Sequence, residues 1–315
     1  MMREQSTFDC MCVGDLHARL ILDRIDAVGK VLNAFETTIN IRTDTDELLV
    51  ITQGKLRSPA NVNVTRSDGT PEFNRIIGEG AQARLQVDHD RQPSASLIIG
   101  DVAILLNGYD VFRNQFSTLE PEALETFANN SDRILASLVT EAQANRFGCL
   151  LIPDITTRGL FSAFLEQLVR DKLVSNHHEF ADKLSNGLLE LCGKGPGFTP
   201  AGDDFIAGYL AMLNWLFATM KISNSIIPGY EFLSLTTWTS FKLMEYSARN
   251  LLDDQAQVMI NCVAHNNVDA YVKSIELISK RGHTSGLDFA TGMTFALFTI
   301  ADRHCSTSVL ENIAI

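Results

Sequence analysis

Two textures divide the chain. Up to about residue 115 the apolar positions come in short runs rich in branched side chains: 28–35, 38–41, 48–51, 83–87, 97–99 and 102–106. Ile39 and Ile41 alternate with Thr38, Asn40 and Arg42, the period of a half-exposed strand. Leu20-Ile21-Leu22 reads as one more strand. Gly29, Asp44-Thr45-Asp46, Gln53-Gly54 and Ser67-Asp68-Gly69-Thr70-Pro71 punctuate these runs as turns. Repeated short strands without intervening helical patterns predict an antiparallel, barrel-like sheet.

From about residue 119 the apolar positions recur at helical spacing instead. Pro121 opens a helix predicted to reach Asn145, with Leu124, Phe127, Ile134, Leu135, Leu138 and Val139 on one side. Further helices are predicted over 159–174, 178–191, 203–220, 230–250, 253–265, 268–280 and 286–302. The expected fold class is α+β: a β-rich N-terminal domain over 1–118, then an all-helical domain over 119–315 that carries the candidate chemistry.

Composition supports folded cores and narrows the partners. The chain has 315 residues, 45% apolar and 20% charged, with a net charge of −12. No basic stripe interleaved with aromatics is present, which argues against nucleic acid and anionic membranes. A small anion can still be held by a local backbone cradle. Asn214 interrupts the longest apolar run, so no membrane span is expected. The six cysteines are scattered and no secretory leader is recognisable, so reduced thiols and a cytoplasmic location are expected. Cys10-Met11-Cys12 is too tight for an ordinary zinc pair.

The most distinctive stretch is Gly193-Lys194-Gly195-Pro196-Gly197-Phe198-Thr199-Pro200-Ala201-Gly202-Asp203-Asp204, followed by an almost wholly apolar run. It reads as a glycine-rich loop feeding a buried helix, with Thr199 as N-cap, Pro200 at the first helical position, and Asp203 and Asp204 in the first turn. Gly195, Gly197 and Gly202 would let the backbone approach a ligand. A helix start presents unpaired N–H groups and partial positive charge. Together these form a candidate cradle for phosphate or carboxylate. Lys194 would pair with a phosphate, or stand solvated. No Gly-Lys-Ser/Thr closes the loop, so it is not a nucleotide P-loop.

A second stretch echoes the first. Arg281-Gly282-His283-Thr284-Ser285-Gly286-Leu287-Asp288-Phe289-Ala290-Thr291-Gly292 shares Gly-x-Asp-Phe-x-x-Gly with residues 202–208. Ser285 and Asp288 have the spacing of a capping box. A mid-helix glycine costs about 1 kcal/mol against alanine. Gly208 and Gly292 therefore predict close helix–helix contact, which would bring both helix entrances to one pocket. Asp204 and Asp288 fall at matching positions and are the candidate catalytic carboxylates. Carboxylates beside an anion cradle would repel the anion. Asp203 and Asp204 would then bind a bridging Mg²⁺, accept hydrogen bonds from an amide-bearing substrate, or point away. His283 would exchange a proton near pH 7, or simply bond to backbone. Thr199, Thr284, Ser285 and Gly286 are candidate phosphate contacts, and Arg249 is a further anion candidate. In the first domain, Asn61 and Asn63 alternate with Val62 and Val64, so both amides share a face that either is wet or lines a site.

At these motifs the chain resembles the AllH-like family. The resemblance rests on residues 191–210 and on Gly282-His283-Thr284-Ser285-Gly286-x-Asp288, with Ser58-Pro59-Ala60-Asn61-Val62-Asn63-Val64 as a weaker third block. It implies a subunit that works with FdrA-like and AllG-like partners to interconvert oxalurate plus phosphate with oxamate plus carbamoyl phosphate. Phe198 stands where the family often has Leu. Ala201-Gly202 differs from the Ser-His of the oxamate subunit. Three functions follow as expectations: a carbamoyltransferase-type subunit, a non-catalytic metabolite-binding or assembly subunit, and a Mg²⁺-dependent hydrolase or lyase of a small anionic substrate.

Overall fold

The computed structural model describes residues 6–22, 27–66, 72–88, 94–145, 155–171, 174, 176–282, 284–305 and 307–313. They divide into two compact units, residues 1–114 and 115–315.

The first unit is a closed barrel. Its strands are β1 (Ser6–Gly14), β2 (Ala27–Ala34), β3 (Thr38–Thr43), β4 (Leu48–Thr52), β5 (Asn61–Arg66), β6 (Gln82–Asp88), β7 (Ser94–Ile99), β8 (Val102–Leu105) and β9 (Asp110–Phe112), with helices α1 (Asp15–Leu22) and α2 (Phe73–Ile76). Eight strands close in the order β1-β5-β4-β3-β2-β6-β7-β8 and return to β1. Every seam is antiparallel except β4–β5 and β8–β1, which are parallel. β1 outruns β8: its residues 6–9 pair with β8, and β9 takes up residues 12–14 along the same side. The core is built from one face of each strand, including Phe8, Val13, Ile39, Ile41, Ile51, Val62, Ile99 and Ile104. Phe73 of α2 joins it, with ring centroids 5.0 Å from Phe8. Gly29 marks a register shift in β2. Its φ of 137° and a backbone carbonyl 2.0 Å from where a Cβ would sit both demand glycine.

Two features of this unit depart from the sequence pattern. Leu20-Ile21-Leu22 ends helix α1 and is not a strand; three branched residues are too few to fix a period. β1 carries the seam but was not expected, although Phe8 and Cys10 are buried while Thr7, Asp9 and Met11 are exposed, a strand alternation visible in the chain.

The second unit contains α3 (Ala123–Asn129), α4 (Ser131–Asn145), α5 (Ile155–Asp171), α6 (His177–Leu191), α7 (Ala201–Thr219), α8 (Tyr230–Leu233), α9 (Trp238–Ala248), α10 (Asp254–Ala264), α11 (Val268–Ser279), α12 (Ser285–His304) and α13 (Val309–Ile313). Two predicted helices are broken. Asn130 leaves helical geometry between α3 and α4, and its side chain bonds back to the Thr126 carbonyl at 2.8 Å. Residues 234–237 separate α8 from α9, and Thr237 caps α9 by accepting from the Ser240 N–H. Helices α7 and α12 form the centre. Both are buried on nearly all sides and mostly apolar, as a helix packed all round must be. Their polar residues are paired inside. Asn214 donates to the Ile226 and Ala248 carbonyls at 2.8 Å and accepts from the Ile226 N–H. Tyr209 donates to Thr299, and Tyr271 pairs with Thr294.

Candidate functional site

The site forms where α7 and α12 begin. Their contact is reciprocal: a Cβ on Gly208 would lie 1.9 Å from the Phe289 carbonyl oxygen, and one on Gly292 would lie 2.0 Å from that of Phe205. The two copies of Gly-x-Asp-Phe-x-x-Gly therefore pack against each other as a quasi-two-fold pair. The likeness extends into the preceding helices. A Cβ on Gly202 would lie 1.9 Å from the Leu191 carbonyl oxygen at the end of α6, and one on Gly286 would lie 1.9 Å from that of Ile278 in α11. Gly202 N–H donates to the Lys194 carbonyl, and Gly286 N–H to that of Arg281. Hence the α6–α7 hairpin corresponds to α11–α12, and Lys194 to Arg281. The sequence hides this second match because Gly202 follows Lys194 by eight residues while Gly286 follows Arg281 by five.

Asp204 lies at the junction. Thr199 Oγ1 donates to Asp204 Oδ2 at 3.1 Å and stands 3.1 Å from Ser285 Oγ, so hydroxyls from both entrances meet at one carboxyl. Burial pushes the Asp204 carboxyl up to about 7; hydrogen bonds from Ser285 and Thr199 and the nearby Arg281 charge oppose that shift. Such a group exchanges a proton near neutrality. Neither hydroxyl acts as the expected cap. Pro200 occupies the N-cap of α7, and Thr284, at the N-cap of α12, makes no side-chain capping bond. Thr199 is displaced one residue outward because Pro200 still has extended backbone, with ψ of 145°. Ser285 is the first helical residue, and the α12 start is closed by the Asp288 N–H donating to the Thr284 carbonyl.

The adjacent Asp203 has a different task. Its Oδ1 accepts from Gly193 N–H at 2.7 Å and its Oδ2 from the Thr236 hydroxyl, joining the loop to the approach of α9. Burial raises its carboxyl above the usual range, with these bonds acting the other way. Asp288 matches Asp204 in sequence and is fully buried. Gly193, Gly195 and Gly197 all have positive φ, so the loop's path requires them. Lys194 is exposed at the surface of that loop. His283 lies outside the described residues. Among those residues, no group of three His, Cys, Asp or Glu side chains is placed to hold a metal ion.

Other candidates lie elsewhere or are engaged. Arg249 pairs with Glu245, which also holds the buried Lys242. Asn61 and Asn63 belong to the barrel unit. Asn61 donates to the Leu56 carbonyl at 3.0 Å, and Asn63 to those of Gly54 and Leu56 at 2.9 Å. Both amides are buried and tie down a loop, so that face is not wet. Arg281 was the residue missed: it pairs with Asp253, and its guanidinium lies 5.0 Å from the Phe289 ring centroid.

Fold and site together define a barrel-plus-helical-bundle protein whose paired helix entrances enclose a carboxyl and two hydroxyls. Within it, residues 191–297 match the family described as oxamate carbamoyltransferase subunit AllH, which supports placing the chain among AllH-like proteins. That span runs from the end of α6 into α12 and contains both glycine-rich entrances; the Ser58–Val64 block falls outside it. The family's description is of a subunit, and so of a component in an assembly. No curated protein and no solved structure matches the chain. No helix among the described residues is long and apolar enough to cross a membrane.

Proposed function

We propose that the chain is a subunit of a cytoplasmic carbamoyltransferase-type complex, working with FdrA-like and AllG-like partners on oxalurate and oxamate. The reaction exchanges oxalurate plus phosphate for oxamate plus carbamoyl phosphate. The observation that carries this reading is the junction of Thr199, Asp204 and Ser285 between two helix starts. Carbamoyl transfer passes through a tetrahedral oxyanion, and the partial positive charge of two converging helix starts would stabilise it, while the Gly202, Gly286 and Asp288 N–H groups are themselves engaged by carbonyls. As phosphate attacks the carbamoyl carbon of oxalurate, the departing oxamate nitrogen needs a proton. Protonated Asp204 can give it and recover it in the reverse direction. The loop at 194–202 and residues 284–286 would cradle the phosphate, with Asp288 and His283 as further catalytic candidates. The Mg²⁺-dependent reading would use Asp203 beside Asp204, but both Asp203 oxygens are turned to Gly193 and Thr236.

The test is phosphate-dependent oxalurate cleavage by the purified chain, alone and reconstituted with its partners. Asp204→Asn is expected to reduce turnover by about a hundredfold or more in the active assembly, the range for a lost general acid. Full activity of that variant in the complex would leave the chain a binding or assembly subunit, and no activity in any combination would refute the reading.

A further inference from the structure

We propose that Arg281 is the side chain that anchors the substrate's phosphate or carboxylate at this junction and that Asp253 is its positioning residue. This rests on the functional reading above and goes further by assigning a recognition group that the glycine-rich loop itself does not supply. Three observations carry it. First, Arg281 stands at the second entrance in the place that Lys194 holds at the first, fixed by the same pair of backbone hydrogen bonds. Second, it is held on two sides. Asp253 engages Nη1, and the Phe289 ring lies beneath the guanidinium at 5.0 Å. Phe289 belongs to the echoed motif, so the helix contact that joins the two entrances also seats the cation. Third, Asp253 takes its bond at Nη1, and a guanidinium carries five N–H donors, so one carboxylate oxygen does not use up the fork. A guanidinium oriented in this way offers a planar fork to carboxylate or phosphate.

Lys194 is a poorer anchor: it is exposed and has no ion pair among the described residues. Arg281 is about three-quarters buried, with 26% of its side chain exposed, and it lies close enough to Asp204 to favour ionisation of that carboxyl. Asp253 has two tasks that can be separated. Its Oδ1 caps α10 by accepting from the Gln255 and Ala256 N–H groups, while its Oδ2 holds Arg281. Asparagine retains a capping oxygen and removes the charge pair.

The experiment is isothermal titration of the full chain with inorganic phosphate and, separately, with oxamate, so that phosphate and carboxylate are distinguished. Arg281→Gln is expected to weaken the anion it holds by about tenfold or more, the loss of one charge-assisted contact. Arg281→Lys should recover only part of that affinity. Asp253→Asn should weaken binding while leaving the melting temperature close to wild type. Carbon NMR titration of Asp204 gives an activity-independent readout: its apparent pKa should rise in Arg281→Gln. Lys280→Gln removes a neighbouring surface charge paired with Glu276 and should leave binding unchanged. Wild-type binding undiminished in Arg281→Gln would overturn the anchor alone. Absence of binding to the wild-type chain would overturn both the anchor and the proposed anion site. Equal losses in Lys280→Gln and Arg281→Gln would reduce the effect to net charge and overturn the assignment.

Discussion

Replacing Gly208 with alanine sets two opposed effects against each other. By helix propensity alone the change should stabilise α7 by about 1 kcal/mol. The added methyl would, however, sit 1.9 Å from the Phe289 carbonyl oxygen, against the 3.4 Å at which ordinary contact begins, a shortfall of about 1.5 Å. The obstructing atoms are backbone on a fully buried helix, so no side chain can swing aside. The helices must separate, and the pairs Tyr209–Thr299 and Tyr271–Thr294 lie in the same core. Overpacking of this kind costs about 1–3 kcal/mol, with more where backbone must move. Because backbone must move, the cost lies at or above the top of that range, and after the gain of about 1 kcal/mol from propensity the expected net effect is a loss of about 2 kcal/mol or more. It would be read from urea denaturation of the helical unit at an unchanged m-value. Gly292→Ala should cost a similar amount. The double variant should cost less than the sum of the two, because the first substitution has already opened the gap that the second needs. A neutral or stabilising Gly208→Ala would refute the close-approach argument, because propensity alone predicts that sign.

Asp204→Asn should show a pH-dependent gain in stability. The folded carboxyl titrates at about 7 and the unfolded one near 3.8, so between these values the folded state holds the extra proton. Wild-type stability therefore falls as pH rises through that window, and thermal melts should show the variant gaining on wild type from pH 4 to 7 and levelling above it. Phosphate affinity of the wild type should fall across pH 7 as the carboxylate forms, and a flat profile would count against Asp204 facing the anion. Asp203→Asn should cost about 1–3 kcal/mol, because its amide cannot accept from both Gly193 and Thr236; Mg²⁺ should not alter that loss in thermal melts. Asn63→Ala should destabilise the barrel by about 1–3 kcal/mol by freeing the Gly54 carbonyl, while the Leu56 carbonyl keeps its donor from Asn61. Anion binding to the helical unit should not change, as separate titration can check.

The two textures of the sequence were enough for the α+β class, because strand and helix periods differ along their whole length. The parallel seams β4–β5 and β8–β1 were not legible, since residue type does not record strand direction. The echoed Gly-x-Asp-Phe-x-x-Gly led correctly to a helix contact, because glycine inside an apolar helix has few other uses. The separate roles of Asp203 and Asp204 could not be read. Adjacent residues on a helix point in different directions, and only the fold shows that Thr236 faces one and Ser285 lies beside the other. Arg281 was hidden by loops of unequal length, and its partner Asp253 is the cap of a different helix, α10.

The all-round apolar character of α7 has a cost during synthesis. The helix is complete at residue 219, yet the partner helix that covers it ends only at His304. At about 5–20 residues per second, a ribosome leaves that surface without its partner for roughly 4–17 seconds. For that interval the most hydrophobic segment of the chain is the one most in need of a chaperone. A translational pause between α7 and α12 would therefore harm yield more than the same pause within the barrel.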